Sequence, residues 1–166
     1  YAPSELSDHS AWVNGKKFAY YYLNLANTVA GQEINLVLVV GKHDLAIDKI
    51  SVKGNSSWIK WNWLTGDNVY VDMQSGATLP EIPLNVTVNS SSDSILLIDP
   101  TYTGTWQAKV SSIPIYGKIG ASNYVVMDED ILERKVAFKS NTIHMFKLIV
   151  VNPASHIEVL IDFEKM

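Results

Sequence analysis

Ile157-Glu158-Val159-Leu160-Ile161-Asp162-Phe163 sets Ile157, Val159, Ile161 and Phe163 two residues apart. Successive side chains of a strand point to opposite faces, so the stripe reads as a half-buried β-strand. Ile82, Leu84, Val86 and Val88 alternate in the same way with Pro83, Asn85, Thr87 and Asn89, which predicts a second such strand. Further strands are expected over 17–27, 34–41, 45–53, 57–64, 68–74, 94–98, 104–116, 122–128 and 142–151, stretches filled by β-branched and aromatic residues. Turn chemistry punctuates them: Asn14-Gly15, Gly41-Lys42, Gly54-Asn55, Thr65-Gly66-Asp67-Asn68, Ser75-Gly76 and Asn152-Pro153. Ile34 to Val40 and Leu148 to Val151 are nearly unbroken apolar runs, the mark of central strands covered on both faces.

The expected fold is therefore all-β: an antiparallel β-sandwich of Ig-like or jelly-roll type with about ten strands. One short helix is expected at most, near 129–138, where Ile131, Leu132, Lys135 and Phe138 fall at helical spacing behind Asp128 as an N-cap; a strand is the competing reading. At 166 residues the chain is read as one domain, 1–166, whose first ten residues form a polar, flexible leader.

Composition bounds the function. Only 18% of residues are charged, against an average of about 25%. Ser, Asn and Thr, 36 in all, replace the missing charge. With a net charge of −4 and a single arginine, Arg134, the chain has no basic stripe, so nucleic acid is not an expected partner. No apolar run is long enough to span a membrane as a helix. The absence of cysteine excludes disulfides, thiolate metal sites and cysteine nucleophiles. Gly-x-Ser-x-Gly is absent, and Gly117-Lys118-Ile119-Gly120 is too short for a phosphate-binding loop, so no catalytic residue is assigned and an enzyme is not expected.

Three N-glycosylation sequons, at Asn55, Asn85 and Asn89, fall in turns or polar strand edges and point to an extracellular or cell-surface address. The starting residues, Tyr1-Ala2-Pro3-Ser4, read as a processed end. Trp58-Ile59-Lys60-Trp61-Asn62-Trp63 is the densest aromatic cluster. Trp61 and Trp63 share a strand face, and with Trp58 nearby they would form a glycan platform if exposed; the competing reading places Trp61 and Trp63 in the core. Asp128, Asp130 and Glu133 form the one acidic cluster with the hard oxygen ligands Ca²⁺ prefers; the alternative is a charged turn. His9, His43, His144 and His156 lack metal-ligand spacing, and His144 shares its face with Phe146 and Leu148, as a satisfied buried histidine would.

Phe18, Tyr20, Tyr21, Tyr22, Leu23 and Leu25 make a strand with bulky residues on both faces, close behind the polar leader. Together with the absence of cysteine, the Ser/Asn/Thr richness and the sequons, this arrangement resembles the secreted β-sandwich subunits of archaeal surface filaments: threads, bundling pili and cannula-type tubes. The resemblance implies that a segment near 11–26 completes the sheet of the next subunit. It departs from archaeal type IV pilins and flagellins in having no long hydrophobic N-terminal helix. The expected function is an extracellular structural or interaction protein, a homo-oligomer or filament subunit assembling by strand addition, with Ca²⁺ as an optional aid. The alternative is a carbohydrate-binding module or lectin that uses the Trp platform.

Overall fold

A computed structural model describes the backbone of residues 9–54, 58–116, 118–119, 125–132, 136–153 and 155–166, with side chains except those of Trp58 and 109–132. Among the described residues, fifteen strands and one helical turn, over 9–13, make up the regular structure. The strands are β1 Lys17–Asn24, β2 Glu33–Val39, β3 Leu45–Gly54, β4 Trp58–Thr65, β5 Tyr70–Val71, β6 Ala77–Leu79, β7 Ile82–Pro83 and β8 Ile95–Ile98. They continue with β9 Tyr102–Thr103, β10 Gln107–Tyr116, β11 Lys118–Ile119, β12 Val125–Leu132, β13 Val136–Phe138, β14 Ile143–Val150 and β15 Ile157–Lys165.

Eight long strands define the topology. One sheet contains the order β12-β3-β15-β1 and the other β10-β4-β14-β2, all antiparallel. Numbered first to eighth along the chain, they run 6-3-8-1 in one sheet and 5-4-7-2 in the other. That is a jelly roll, not an Ig-like sandwich. The chain crosses between sheets at almost every connection, so each sheet is built from strands distant in sequence.

Residues 66–106 are an insertion between the fourth and fifth of these strands. From it, β8 and β6 extend the second sheet beyond β2, β7 adds to the first sheet beyond β1, and β5 and β9 form a separate ribbon.

The core lies between the sheets. Ile157, Val159, Ile161 and Phe163 on β15 are all buried, and they meet Phe18 and Tyr20 of β1, Leu36 of β2, Ile47 and Ile50 of β3, Trp61 of β4 and Phe146 of β14 in one cluster. The opening stripe thus has the burial its period implies. A smaller cluster lies on the other face of the second sheet, where Val37, Leu97 and Met145 are fully buried against Val71 and Trp106 of the insertion. This second cover explains the unbroken apolar run of β2.

One open choice resolves and one expected element differs. In the stretch near 129–138 the described residues take the strand reading: Glu129, Asp130 and Leu132 pair with Val52, Ser51 and Ile50 of β3, and Val136–Phe138 pair with the same strand. An available sheet edge outweighs a weak local helical pattern. The strand expected over Ile82 to Val88 ends at Pro83. Asn85 then turns the chain: its Oδ1 accepts from the Thr87 amide at 3.2 Å and from the Thr87 hydroxyl at 2.6 Å. Ile82, Leu84 and Val86 are left exposed.

Candidate functional site

β1 belongs to its own sheet. All eight residues, Lys17 to Asn24, pair with Glu164 to Ile157 of β15. Phe18 and Tyr20 are buried in the core. Within the single chain the C-terminal strand supplies the partner of this segment along one edge. The other edge of β1 is different. There β7 pairs only with Phe18 and Ala19, and Leu84 N–H donates to Lys17 O at 3.0 Å. Among the described residues no strand pairs with Tyr20 to Asn24 on that side. Tyr21, Leu23 and Leu25 are exposed along this stretch, and the exposed Ile82 lies opposite Ala19 at its start, with Leu84 and Val86 exposed farther on in the direction of Lys17.

The edge is anchored from behind. The Tyr20 hydroxyl meets Ser94 Oγ at 2.8 Å, Ser94 meets Ser92 at 2.6 Å, and Ser92 donates its hydroxyl to Glu81. Burial, with a smaller contribution from the nearby Glu81 charge, pushes the Tyr20 phenol up to about 12; its hydrogen bond to Ser94 acts the other way. Below it, Lys17 Nζ bridges Asp48 at 2.7 Å and Glu164 at 3.0 Å. Asp48 is the extra residue of a bulge, since Asp162 pairs with Lys49 while Phe163 pairs with Ile47. Desolvation pulls the Lys17 ammonium down, but hydrogen bonds and charge from both carboxylates outweigh it, and the net shift is upward.

The Trp platform is not formed by Trp61. Its side chain is only 2% exposed and sits in the core, because β4 turns Ile59, Trp61 and Trp63 toward the facing sheet. Trp63 packs at the core margin, 5.2 Å from the Phe138 ring. The Trp58 side chain lies outside the described residues. His144 is buried and hydrogen-bonded, as its strand face implied. The indole N–H of Trp63 can only donate, at 3.5 Å to Nδ1, so His144 carries its proton on Nε2 and donates to Thr142 Oγ1 at 2.9 Å. Thr142 in turn donates to Lys139 O at 2.6 Å.

The sequons separate. Asn89 is exposed. Asn85 is 8% exposed, and its amide nitrogen donates to Trp12 O and Val13 O, both at 3.2 Å. The expected exposure of Asn85 is corrected: its side chain caps the carbonyl end of the 9–13 turn. Asn55 lies outside the described residues. For the expected Ca²⁺ cluster, the backbone sets Asp128 and Asp130 opposite Lys53 and Ser51. Their side chains, and Glu133 altogether, lie outside the described residues, among which no group of three or more His, Asp or Glu could hold a metal.

A feature that periodicity did not single out is Tyr70. The β5–β9 ribbon packs Val71 against the second sheet and so turns Tyr70 away, leaving it 82% exposed. The ring stands between two clefts. One, of about 390 Å³, is lined by Asp67, Asn68, Asn141 and Thr142; the other, of about 320 Å³, by Asp72, Thr101, Tyr102 and Thr103. Gly104, at φ +105°, brings its backbone against Asn68 O, where a Cβ would collide. The Thr65-Gly66-Asp67-Asn68 turn signal marked this place in the sequence as a loop only.

No protein-family model matches the sequence, and the curated proteins contain no match to it.

Proposed function

We propose that this protein is an extracellular structural or interaction subunit, without catalytic activity, that associates with copies of itself by edge-strand pairing at β1. The carrying observation is the free backbone edge of residues 20–24, set beside an apolar row of Tyr21, Leu23, Leu25 and Ile82. An unpaired edge offers main-chain donors and acceptors to another strand, and nearby apolar side chains add area. Antiparallel pairing centred on Tyr22 sets Tyr21 of one copy opposite Leu23 of the next. The β1 strand stays in its own sheet throughout and recruits rather than leaves. Such an isologous pair closes on itself; a filament, the form expected from the sequence, requires a second contact elsewhere on the sandwich. The exposed Asn89 sequon fits an outside address.

Light scattering behind size exclusion, from micromolar to several hundred micromolar, tests the reading, with negative-stain imaging for longer assemblies. A dimer or larger species that dissociates on dilution is expected. A monomer across the whole range overturns it.

A further inference from the structure

We propose that the clefts on either side of Tyr70 form a binding site for a neutral saccharide. The inference rests on the ribbon rather than on the β1 edge, and it replaces the Trp61–Trp63 platform with a different set of residues.

Three observations converge. First, the Tyr70 ring is a nearly free aromatic face on a fixed support. Its neighbour Val71 is packed against the sheet, and Gly104 holds the ribbon against Asn68 without room for a side chain. The backbone that carries the ring is fixed, so a ligand that stacks on it has only the side chain to order. The axial C–H face of a pyranose is apolar and weakly positive at its hydrogens, which matches the negative face of the phenol ring.

Second, unspent hydrogen-bonding groups stand beside the ring. Asp67, Asn68 and Asn141 all line the larger cleft with exposed side chains. Two amides, each with donors and an acceptor, and one carboxylate acceptor suit the mixed donor–acceptor character of adjacent sugar hydroxyls. Thr142 is already engaged with Lys139 and His144, so it shapes the wall and is not counted among the free groups. The volume, about 390 Å³, lies in the ~300–1,000 Å³ range of small-ligand sites.

Third, the charge selects. Asp67 lines one cleft and Asp72 the other, and neither lining contains a lysine or arginine. A sulfated, sialylated or uronic saccharide would be repelled, as would a nucleotide phosphate. Neutral hexoses and N-acetylhexosamines remain. Tyr102, in the second cleft, extends the surface so that a ligand longer than one ring spans both sides of Tyr70.

The test uses the full chain on an array of neutral, N-acetylated, sialylated and sulfated oligosaccharides, with saturation-transfer NMR on the neutral members that bind. Expected is retention of at least one neutral saccharide, with no retention of the anionic ones. Tyr70→Ala, at an exposed position, should weaken that binding at least tenfold with an unchanged melting temperature, and Asn68→Ala should weaken it as well. Leu23→Lys, which targets the β1 edge, should leave it intact, so the two proposals fail separately. Absence of every neutral saccharide from the array, or equal binding by Tyr70→Ala, overturns the site.

Discussion

Leu23→Lys is the sharpest probe of the β1 edge. Leu23 is 42% exposed in the single chain. Complete burial of a leucine side chain is worth about 1.5–3 kcal/mol. The share still in water is therefore worth roughly 0.6–1.3 kcal/mol for each copy. A pair of copies joined at this edge contains two such residues, so the substitution removes about 1–2.5 kcal/mol of association energy. Two ammonium groups brought close to the new contact lose hydration as well, which adds to the cost. The expected result is a dissociation constant raised about 10- to 100-fold, at ~1.4 kcal/mol per factor of ten. Because Leu23 lies on the solvent side of β1, the folded monomer should change by only about 0.5 kcal/mol. Sedimentation velocity over a dilution series reads the association, and urea unfolding at low concentration reads the monomer. An unchanged association curve for Leu23→Lys, with monomer stability preserved, would refute edge pairing at this strand.

Trp61→Ala should cost about 3–5 kcal/mol in urea unfolding, the range for emptying an aromatic site in a core; a loss under 1 kcal/mol would mean that Trp61 is not packed as described. Alkaline pH should destabilise the protein in a defined window. The unfolded Tyr20 phenol ionises near 10 while the folded one holds its proton to about 12. Its contribution is complete below pH 10 and is lost as pH rises toward 12, by about 2–3 kcal/mol. Lys17, also raised, acts in the same direction at the same end of the scale. Tyr20→Phe should flatten the fall in urea midpoint between pH 10 and 11.5, and an identical slope in both proteins would reject the assignment. Peptide mapping of native material should find glycan on Asn89 and none on Asn85, whose nitrogen is occupied by Trp12 O and Val13 O; a glycan on Asn85 would contradict that cap.

Most strands were legible because a half-buried strand writes its period into the chain. β1, β2, β3, β4, β10, β14 and β15 all lie within a few residues of their expected spans. The choice of jelly roll over Ig-like topology was not legible, since alternation identifies a buried face but not the neighbouring strand. The failures have local causes. Ile82 to Val88 alternates as a strand does, yet Asn85 bonds to Thr87 and to the 9–13 turn, and those partners are 72 or more residues away from Asn85 in the case of the turn. Directly after the expected leader, which lies outside the described residues but for His9 and Ser10, Ala11 is buried and the turn containing it is tied to Leu84 through Trp12 Nε1 at 3.1 Å. Trp61 and Trp63 shared a face as period two required, but period two does not say whether that face meets water or the other sheet. Tyr70 was hidden because a two-residue strand has no period to read.

The insertion decides which strand edges are covered. On β2 it closes the edge: Leu36 to Val39 pair with Ile98 to Ile95 of β8. The seal continues to Asn35, whose amide donates to Asp99 Oδ1 at 2.8 Å while the Asp99 amide donates back to Asn35 O at 2.8 Å. On β1 the same insertion supplies two paired residues and then turns away at Asn85. The turn is held by four hydrogen bonds between the Asn85 side chain and Trp12 O, Val13 O and the Thr87 amide and hydroxyl, so it is a built stop and not a frayed strand end. β7 runs antiparallel to β1, with Ile82 opposite Ala19 and Pro83 opposite Phe18, so continuing it past Leu84 would extend it toward Lys16; only the chain before Ile82 could pair with Tyr20 to Asn24. That preceding chain instead holds β6 against β8 of the second sheet, which leaves the backbone of Tyr20 to Asn24 open, while the Asn85 turn leaves Leu84 and Val86 exposed toward the other end of β1. Natural sheets usually blunt an open edge with charge, proline or a bulge. Here Tyr21 and Leu23 occupy the exposed face of that edge, and it is this departure that singles out β1 as the surface on which association should be tested first.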